Sequence, residues 1–436
     1  MARSRSETEK KEVKRRWRIP PPVLRGPEAP GPEGLTVLDE FENELGVLLW
    51  KQLRSVLLWA DVPGAERGDL FNEQIGSTRQ ADILAIVPDE LPELREPMED
   101  LLALLNDPVH VEPERIGLAC NRIATWAEGE GAPRTALEFL QAASLACPAN
   151  PRFALSVMRA ARDLAQYPRA EAWFHRAVGL ARQCRDWDSY IRAYLAHGTM
   201  MLRKGALPAA RRSFLKGYRR ATRQGLKEVR AMAVHDLFVV EYHLGNQEDG
   251  DKYAAKAIAL YGPDHERFVR LSHDIAFVWL MEGAYENAME ILLHLLPKLP
   301  DKAQATVNGT LARAAAGAGR ADIFEEARAR LRAFPQDVGL AEAWVEVARG
   351  ALILGRHDEA REAAVKAEAL ARRRMEGQIR FMAESVLEAI SAEERASEHL
   401  QETPKAPSSR SRDELTRKIV TGLEEGRTPV TSPAGW

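Results

Sequence analysis

The chain has 436 residues, a length that suggests two or three domains rather than one. Its 61 Lys and Arg residues nearly balance its 64 Asp and Glu residues, and the net charge of −3 argues against a uniformly basic protein that coats nucleic acid. Hydrophobic residues make up 45% of the chain and aromatic residues only 7%, so there is material for a core. The richness in Ala, Leu, Glu and Arg favours helix over strand.

The cysteines and the N-terminus indicate a compartment. Cys120, Cys147 and Cys184 are odd in number and far apart, and no CxxC pair occurs, so neither a disulfide framework nor a zinc site is expected. The first residues are charged where a signal peptide needs an apolar stretch, and no window reaches the roughly 18 to 20 apolar residues of a membrane span. We therefore expect a soluble, cytoplasmic protein.

Residues 1–34 predict a disordered arm that is first basic and then rich in proline. Residues 3–18 hold eight Lys or Arg against three Glu, and six prolines follow between residues 20 and 32. Such a stretch cannot bury enough apolar surface to offset the entropy lost on ordering.

The C-terminal stretch 396–436 predicts a flexible tail with one short amphipathic helix over 411–425. Ser411 and Glu414 have the spacing of a capping box, and three apolar residues then recur every four positions, Leu415, Ile419 and Leu423. A single short helix is marginal by itself. It therefore folds on a partner or docks back on the body of the protein.

Residues 35–110 predict an N-terminal helical module. A helix over 36–61 is apolar on more than one face, and a second helical region over 81–107 is interrupted by three prolines. The segment 81–114 is acidic, with ten Asp or Glu against one Arg. The module is thus a cap for the residues that follow, or a gate that covers basic ones.

From about residue 111 to residue 395 the chain repeats. A small residue follows a Gly-type turn in seven segments, and in five of them the Gly stands five residues earlier; the second has Ala165 in its place, and the sixth is irregular. The small residues are Ala136, Ala170, Ala210, Gly250, Ala288, Ala327 and Ala360. Their steps of 33 to 40 residues are typical of stacked helix pairs.

This pattern resembles the tetratricopeptide repeat, with middle units stretched to nearly 40 residues as in some bacterial regulators and scaffold proteins. The third unit matches it at Gly198, Ala210, Phe214 and Gly217; the fifth matches at Ala276, Gly283, Ala288, Leu292 and Pro300. The resemblance implies an all-α fold, a right-handed superhelix of about seven helix pairs with a closing helix near 376–395. It implies little about function.

No catalytic pattern is present. The sequence has no P-loop, no complete dinucleotide loop, no HExxH and no GxSxG, so we expect neither an enzyme nor a bound cofactor or metal. His235-Asp236 and His273-Asp274 look like a pair of His-Asp dyads, but they lie one repeat apart. Duplication of the repeat explains them, and the alternative is that they line one groove.

The near-zero net charge conceals a basic middle. Residues 152–230 hold eighteen Lys or Arg against five acids, a net of +13, and the rest of the chain sums to −16. Six cations of the third unit form what we call the basic band: Arg211, Arg212, Lys216, Arg219, Arg220 and Arg223. This band is a solvated face, or it binds an anionic protein, or it binds nucleic acid; interleaved aromatic residues for base stacking are missing.

In tetratricopeptide proteins the first helix of each pair lines a concave groove that holds peptides. Placed on this chain, the groove-facing candidates are Arg152, Arg159, Arg162, Arg192, Arg203, His235, Tyr242, His243, Arg270, His273 and Phe277. Several guanidinium groups in one groove suit carboxylates, although the same side chains could simply cover the groove floor.

These observations predict a non-catalytic scaffold or adaptor that binds an acidic partner segment in an Arg-lined groove. Two alternatives stay open. One is a peptide-sensing regulatory protein, and the other is a nucleic-acid-associated protein that uses residues 203–230 and the N-terminal arm.

Overall fold

The computed structural model describes residues 19–24, 35–334, 339–373, 377–396 and 409–426. These residues form an all-helical structure, with no β-strand among them, as the composition predicts. None of the described helices combines the length and the apolar character that crossing a membrane requires. By its contacts the chain divides into two compact units, Met1–Val229 and Arg230–Trp436.

Five helices precede the repeats, together with one 3₁₀ turn at Gly64–Asp69. They are α1 (Leu35–Glu40), α2 (Glu44–Asp61), α3 (Glu73–Ile86), α4 (Pro92–Asp100) and α5 (Leu102–Asn106).

Seven helix pairs follow. They are α6 (Pro113–Gly129) with α7 (Pro133–Ala146), α8 (Pro151–Asp163) with α9 (Tyr167–Cys184), α10 (Trp187–Arg203) with α11 (Leu207–Gln224), α12 (Lys227–His243) with α13 (Gln247–Tyr261), α14 (Glu266–Met281) with α15 (Tyr285–Leu295), α16 (Asp301–Gly317) with α17 (Ala321–Ala333), and α18 (Leu340–Ile353) with α19 (His357–Arg373). A closing helix, α20 (Gly377–Ala396), comes next, and α21 (Arg410–Glu425) lies in the tail.

The prediction of tandem helix pairs is confirmed. The six named small alanines of the pattern are at most 1% exposed, and Gly250, the seventh small residue, is also buried. In six of the seven pairs the turn is made by a glycine with positive φ, such as Gly205 at 70° and Gly283 at 79°. The turn residue thus allows the chain to reverse, and the small residue allows the two helices to approach.

The N-terminal module differs from the sequence prediction in where its helices end. The helix expected over 36–61 is broken, because the side chain of Asn43 accepts hydrogen bonds from the backbone N–H groups of Leu45 (3.0 Å) and Gly46 (3.4 Å) and so starts a new helix. The region expected over 81–107 forms three helices, and α3 begins well before it at Glu73.

The tail helix is present, but the predicted capping box at Ser411 and Glu414 is wrong. The residue at the N-cap position is Ser409, so Ser411 lies one residue inside the helix and not at the cap that a capping box requires. Glu414 instead forms an ion pair with Lys418 at 2.8 Å. Most of the predicted disordered arm lies outside the described residues, whereas residues 19–24 lie against α9.

Candidate partner-binding surfaces

The first-helix arginines of the Met1–Val229 unit are largely engaged by carboxylates of the same chain. Arg162 forms two hydrogen bonds of 3.0 Å with Asp163, and Arg203 reaches the same carboxylate at 2.5 Å. Arg152 is exposed and lies 3.8 Å from Asp186. The guanidinium groups expected to receive a partner's carboxylates are therefore already partly neutralised.

Arg192 is the most tightly held of these arginines. It donates to Asp188 at 2.7 Å and to Glu228 at 2.9 Å. Burial lowers the pKa of Arg192, but the hydrogen bonds to the two carboxylates outweigh burial and raise it. Arg159, the remaining arginine of this group, is half-buried.

In the Arg230–Trp436 unit the two His-Asp dyads come together. His235 is 7% exposed, and its Nε2 lies 2.9 Å from Asp274, whose other carboxylate oxygen lies 3.6 Å from Nδ1 of His273. Arg270 lies 3.9 Å from Asp274. Burial raises the pKa of Asp274, but the hydrogen bonds from the two histidines prevail and hold it well below its usual range. The cluster is thus an internal network that joins α12 to α14.

A cavity of about 300 Å³ opens beside this network, again between α12 and α14. Its lining residues are Val239, Tyr242, His243, Asp274, Phe277, Val278, Met281 and Glu282. Three predicted groove residues are therefore brought together here, but the charged groups beside them are two carboxylates. Both carboxylates already have partners in the chain, Asp274 in the histidine network and Glu282 with Arg412, so the cavity offers an acidic ligand no unpaired guanidinium group among the described residues.

The hydroxyl of Tyr242 is also occupied. It donates to the carboxylate of Asp251 and accepts a hydrogen bond of 3.2 Å from the indole N–H of Trp279. Burial and the hydrogen bond to Asp251 raise the pKa of Tyr242, so the hydroxyl stays protonated. No group of three or more His, Cys, Asp or Glu side chains that could hold a metal ion occurs in the described part of the chain.

The basic band on α11 is different, because four of its six cations are exposed to solvent. Arg212, Lys216, Arg219 and Arg223 are exposed and recur at the i, i+4, i+7 and i+11 spacing of a single helix face. Within the described residues none of these four has a carboxylate oxygen within 4.0 Å. The opposite face of α11 carries buried Phe214 and Ala221.

Sequence reasoning missed the aromatic residues that support this band, because they lie on the preceding helix. Trp187, Tyr190 and Tyr194 recur along α10 at helical spacing. Arg220 lies 4.3 Å from the ring centre of Trp187, and Lys216 lies 4.3 Å from that of Tyr194. The charged groups of these two cations are therefore held over the rings by cation–π interactions.

The acidic N-terminal segment pairs with its own neighbourhood rather than with the basic band. Arg122 donates to Glu96, and Arg115 donates to Asp100 at 2.8 Å. Asp82 accepts from Lys51 at 3.2 Å. The first two contacts hold α4 against α6, and the third joins α2 to α3. Among the described residues, no ion pair links the acidic segment to residues 152–230, so the gate hypothesis has no such contact in its support.

Comparison with known proteins found similar solved structures and no matching family. No protein-family model matches the chain, and no curated protein matches it. Among solved structures, it is similar to a Rap protein complexed with competence and sporulation factor, with 12% identity, a TM-score of 0.44, and coverage of 76% of this chain and 99% of that one. It is also similar to yeast Tom70, with 14% identity, a TM-score of 0.46, and coverage of 83% and 85%.

A third similar structure is that of Pseudomonas aeruginosa pilF, with 13% identity, a TM-score of 0.34, and coverage of 59% of this chain and 93% of that one. The helix pairs, the positive-φ turns and the buried small residues of this chain carry the fold assignment by themselves. The chain has a tetratricopeptide-like helical-repeat fold.

Proposed function

We propose that this protein is a non-catalytic interaction scaffold, and that the basic band on α11 binds an acidic segment of a partner protein. The class of partner is the one that the sequence predicts. The proposed contact differs, because it lies on α11, the second helix of its pair, and not on the first helices that line the groove. The observation that carries the proposal is the row of four exposed cations with no carboxylate partner among the described residues.

Electrostatics supports this location. Like charges on one helix face repel one another, and an anionic partner removes that repulsion when it binds. The groove arginines offer less, because a partner would first have to displace Asp163, Asp188 or Glu228. Acidic protein is favoured over nucleic acid because Lys216 and Arg220 lie over the aromatic rings that bases would otherwise stack on.

The test is binding of a fluorescently labelled oligoglutamate peptide to the full chain, followed by anisotropy, with an oligoglutamine peptide as the uncharged reference. The band variant is Arg212→Glu/Arg219→Glu/Arg223→Glu. We expect it to weaken binding at least about tenfold, and we expect wild-type binding to fall as salt is added, because rim charges act through a screened field.

The matched control variant is Arg152→Glu/Arg203→Glu, which reverses exposed charges on the first helices α8 and α10. It should leave the affinity within about threefold of wild type, since both arginines already have carboxylate partners. Loss of binding in this variant alone would return the contact to the groove. Tighter binding of a single-stranded oligonucleotide than of the peptide would favour the nucleic-acid alternative.

A further inference from the structure

A short proline-rich segment of the chain, Ile19-Pro20-Pro21-Pro22-Val23-Leu24, lies along one face of α9. The side chains that hold it are Arg169, Trp173 and Arg176, which have the i, i+4 and i+7 spacing of a single helix face. Each is less than 9% exposed.

The contact consists of side-chain N–H groups that donate to backbone carbonyls of the segment. The indole N–H of Trp173 donates to Val23 at 2.8 Å, and Arg176 donates to Pro20 at 2.8 Å. Arg169 donates to Leu24 and lies 3.4 Å from the carbonyl oxygen of Val23.

This donor set matches the chemistry of a proline-rich ligand. Of the three carbonyls that accept, one belongs to Pro20 and two belong to Val23 and Leu24. The three prolines have no backbone N–H, so they add no donor to the contact. Arg and Trp side chains are donors without acceptors, so they suit the carbonyl groups of the segment. One donor of the set, Nε of Arg176, is buried with no hydrogen-bond partner among the described residues. The limited conformational freedom of such a segment also lowers the entropy that binding costs.

The site is held by the rest of its unit and not by the segment alone. Arg169 also donates to Gln166 at 2.9 Å and to Gln141, and Arg176 donates to the carbonyl of Pro148 at 3.1 Å. The two guanidinium groups are therefore positioned by α7 and by the turns that precede α8 and α9.

Space remains beside the segment. A cavity of about 430 Å³ adjoins Pro22 and Leu24, and α2 and α7 supply its other walls, including Arg54, Leu58 and Asp61. Leu58 is 46% exposed although it lies on a helix that is otherwise largely buried. A ligand longer than residues 19–24 could extend into this cavity.

At the other end of the segment, Ile19 packs against a glycine of α9. A Cβ on Gly179 would make van der Waals contact with Cγ1 of Ile19 at 3.4 Å, and the three atoms nearest to that position all belong to Ile19. A side chain much longer than one carbon at this turn of α9 would therefore enter the place of Ile19.

We propose that this face of α9 is a binding site for proline-rich peptide segments, and that residues 19–24 occupy it as an internal ligand. A proline-rich segment of a partner protein then binds by displacing the internal one. The site is separate from the basic band, which lies on α11.

The test opens the site in the full chain with Pro20→Gly/Pro21→Gly/Pro22→Gly, which removes the conformational restriction of the internal ligand. A labelled acetyl-Ile-Pro-Pro-Pro-Val-Leu amide peptide should bind this opened protein at least about tenfold more tightly than wild type, because internal competition is weakened. An otherwise identical peptide with three glycines should bind at least about fivefold less tightly than the proline peptide.

Two further substitutions in the opened protein test the geometry. Trp173→Phe keeps an aromatic ring, although a smaller one, and deletes the donor, and it should weaken peptide binding about fivefold. Its control is Trp344→Phe, because Trp344 is buried and its indole N–H has no hydrogen-bond partner among the described residues. Gly179→Leu should abolish binding by filling the place of Ile19, and a helix former at this position does not itself weaken α9.

Absence of peptide binding to the opened protein would overturn the proposal. So would equal binding of the proline and glycine peptides, or unchanged binding in the folded Gly179→Leu variant. A thermal melt of each variant establishes that it is folded, and Gly179→Leu keeps the test decisive if Trp173→Phe unfolds.

Discussion

Individual backbone conformations show where the repeat pattern is under strain. Ala165 stands at the turn position that glycine occupies in the other six pairs, and its φ of 57° lies in the left-handed region. A side chain in that region costs roughly 1–2 kcal/mol for an L residue. The sequence thus departs from the pattern at this turn while the chain keeps the same geometry.

Replacing Ala165 by Gly should therefore stabilise the protein. The substitution removes the strain of the left-handed conformation, but it also gives the unfolded chain more conformational freedom. The first effect is the larger, so we expect the free energy of unfolding to rise by about 0.5–1 kcal/mol. The measurement is urea denaturation of the full chain. Gly205→Ala is the matched control, because among the described residues a Cβ there would meet no atom within 4 Å. Only the positive φ of 70° disfavours alanine at this position, so the free energy of unfolding should fall by about 1 kcal/mol.

Asp236 is a second residue in an unfavourable environment, because burial disfavours the charged form of its carboxylate. Burial raises the pKa of Asp236 to about 6, and the nearby His235, Arg270 and Arg267 only partly offset this. Between the unfolded value of about 3.9 and this folded value, the native state binds a proton that the unfolded state has lost. The contribution of Asp236 to stability is therefore present at low pH and is lost as the pH rises through about 6.

Asp236→Asn removes this titration, so the variant should gain stability relative to wild type as the pH rises. We expect the difference in unfolding free energy to shift by about 1–3 kcal/mol in favour of the variant between pH 4.5 and pH 7.5. Asp274 does not confuse the result, because its pKa is held well below this window. Chemical denaturation at the two pH values measures the shift, and a difference independent of pH would contradict the assignment.

At the scale of elements, the helices of a pair are in contact through positions that tolerate no added atoms. In the third pair a Cβ on Gly198 of α10 would lie 2.3 Å from Cε1 of Phe214 on α11. Phe214 is 2% exposed and cannot move away without disturbing the core.

Gly198→Ala should accordingly destabilise the protein by about 1–3 kcal/mol, even though alanine is the better helix former. Gly129→Ala is the control, because Gly129 also lies in a helix and a Cβ there meets nothing within 4 Å. A thermal melt measures both. A stability loss of the same size in the control would show that close packing is not the cause.

The tail helix α21 docks on its own unit through the apolar stripe that the sequence identified. Leu415, Ile419 and Leu423 are at most 4% exposed, and α21 packs against α13 and α15. Polar contacts flank the stripe, with Arg412 donating to Glu282 at 2.5 Å and Asn287 donating to Thr416 at 3.0 Å.

Ile419→Ala should release α21 from this surface. The lost burial costs about 2–4 kcal/mol, which exceeds what a 16-residue helix can supply by itself. We expect trypsin to cleave after Arg417 and Lys418 markedly faster than in wild type, as followed by mass spectrometry. Thr421→Ala changes an exposed residue of the same helix and should leave the cleavage rate unchanged.

At the scale of the whole molecule, stability should be local, because each helix pair contacts chiefly its neighbours along the chain. Gly198→Ala should raise hydrogen exchange in α10 and α11, whereas Ile419→Ala should raise it in α13, α15 and α21. Hydrogen exchange followed by mass spectrometry distinguishes the two patterns. If both variants raised exchange equally in the Met1–Val229 and Arg230–Trp436 units, the chain would be unfolding as one cooperative body.

The sequence by itself determined the repeat. Each turn needs a residue that tolerates positive φ, and each close helix contact needs a small residue, so Gly and Ala recur at similar spacing along the chain. A turn glycine such as Gly205 and a buried small residue such as Ala210 each meet a requirement of the local backbone or of one helix contact. Their recurrence along the chain therefore predicts the all-α class without a structure. The stripe of α21 was readable for the same reason.

Only the tertiary structure decided which cations are available to a partner. Arg192 and Arg212 are alike in sequence, but the first is held by Asp188 and Glu228 while the second faces solvent. Likewise Trp173 meets Val23 across 150 residues of chain. Contacts between residues far apart in the chain depend on how the helices pack, and no local spacing in the sequence records them.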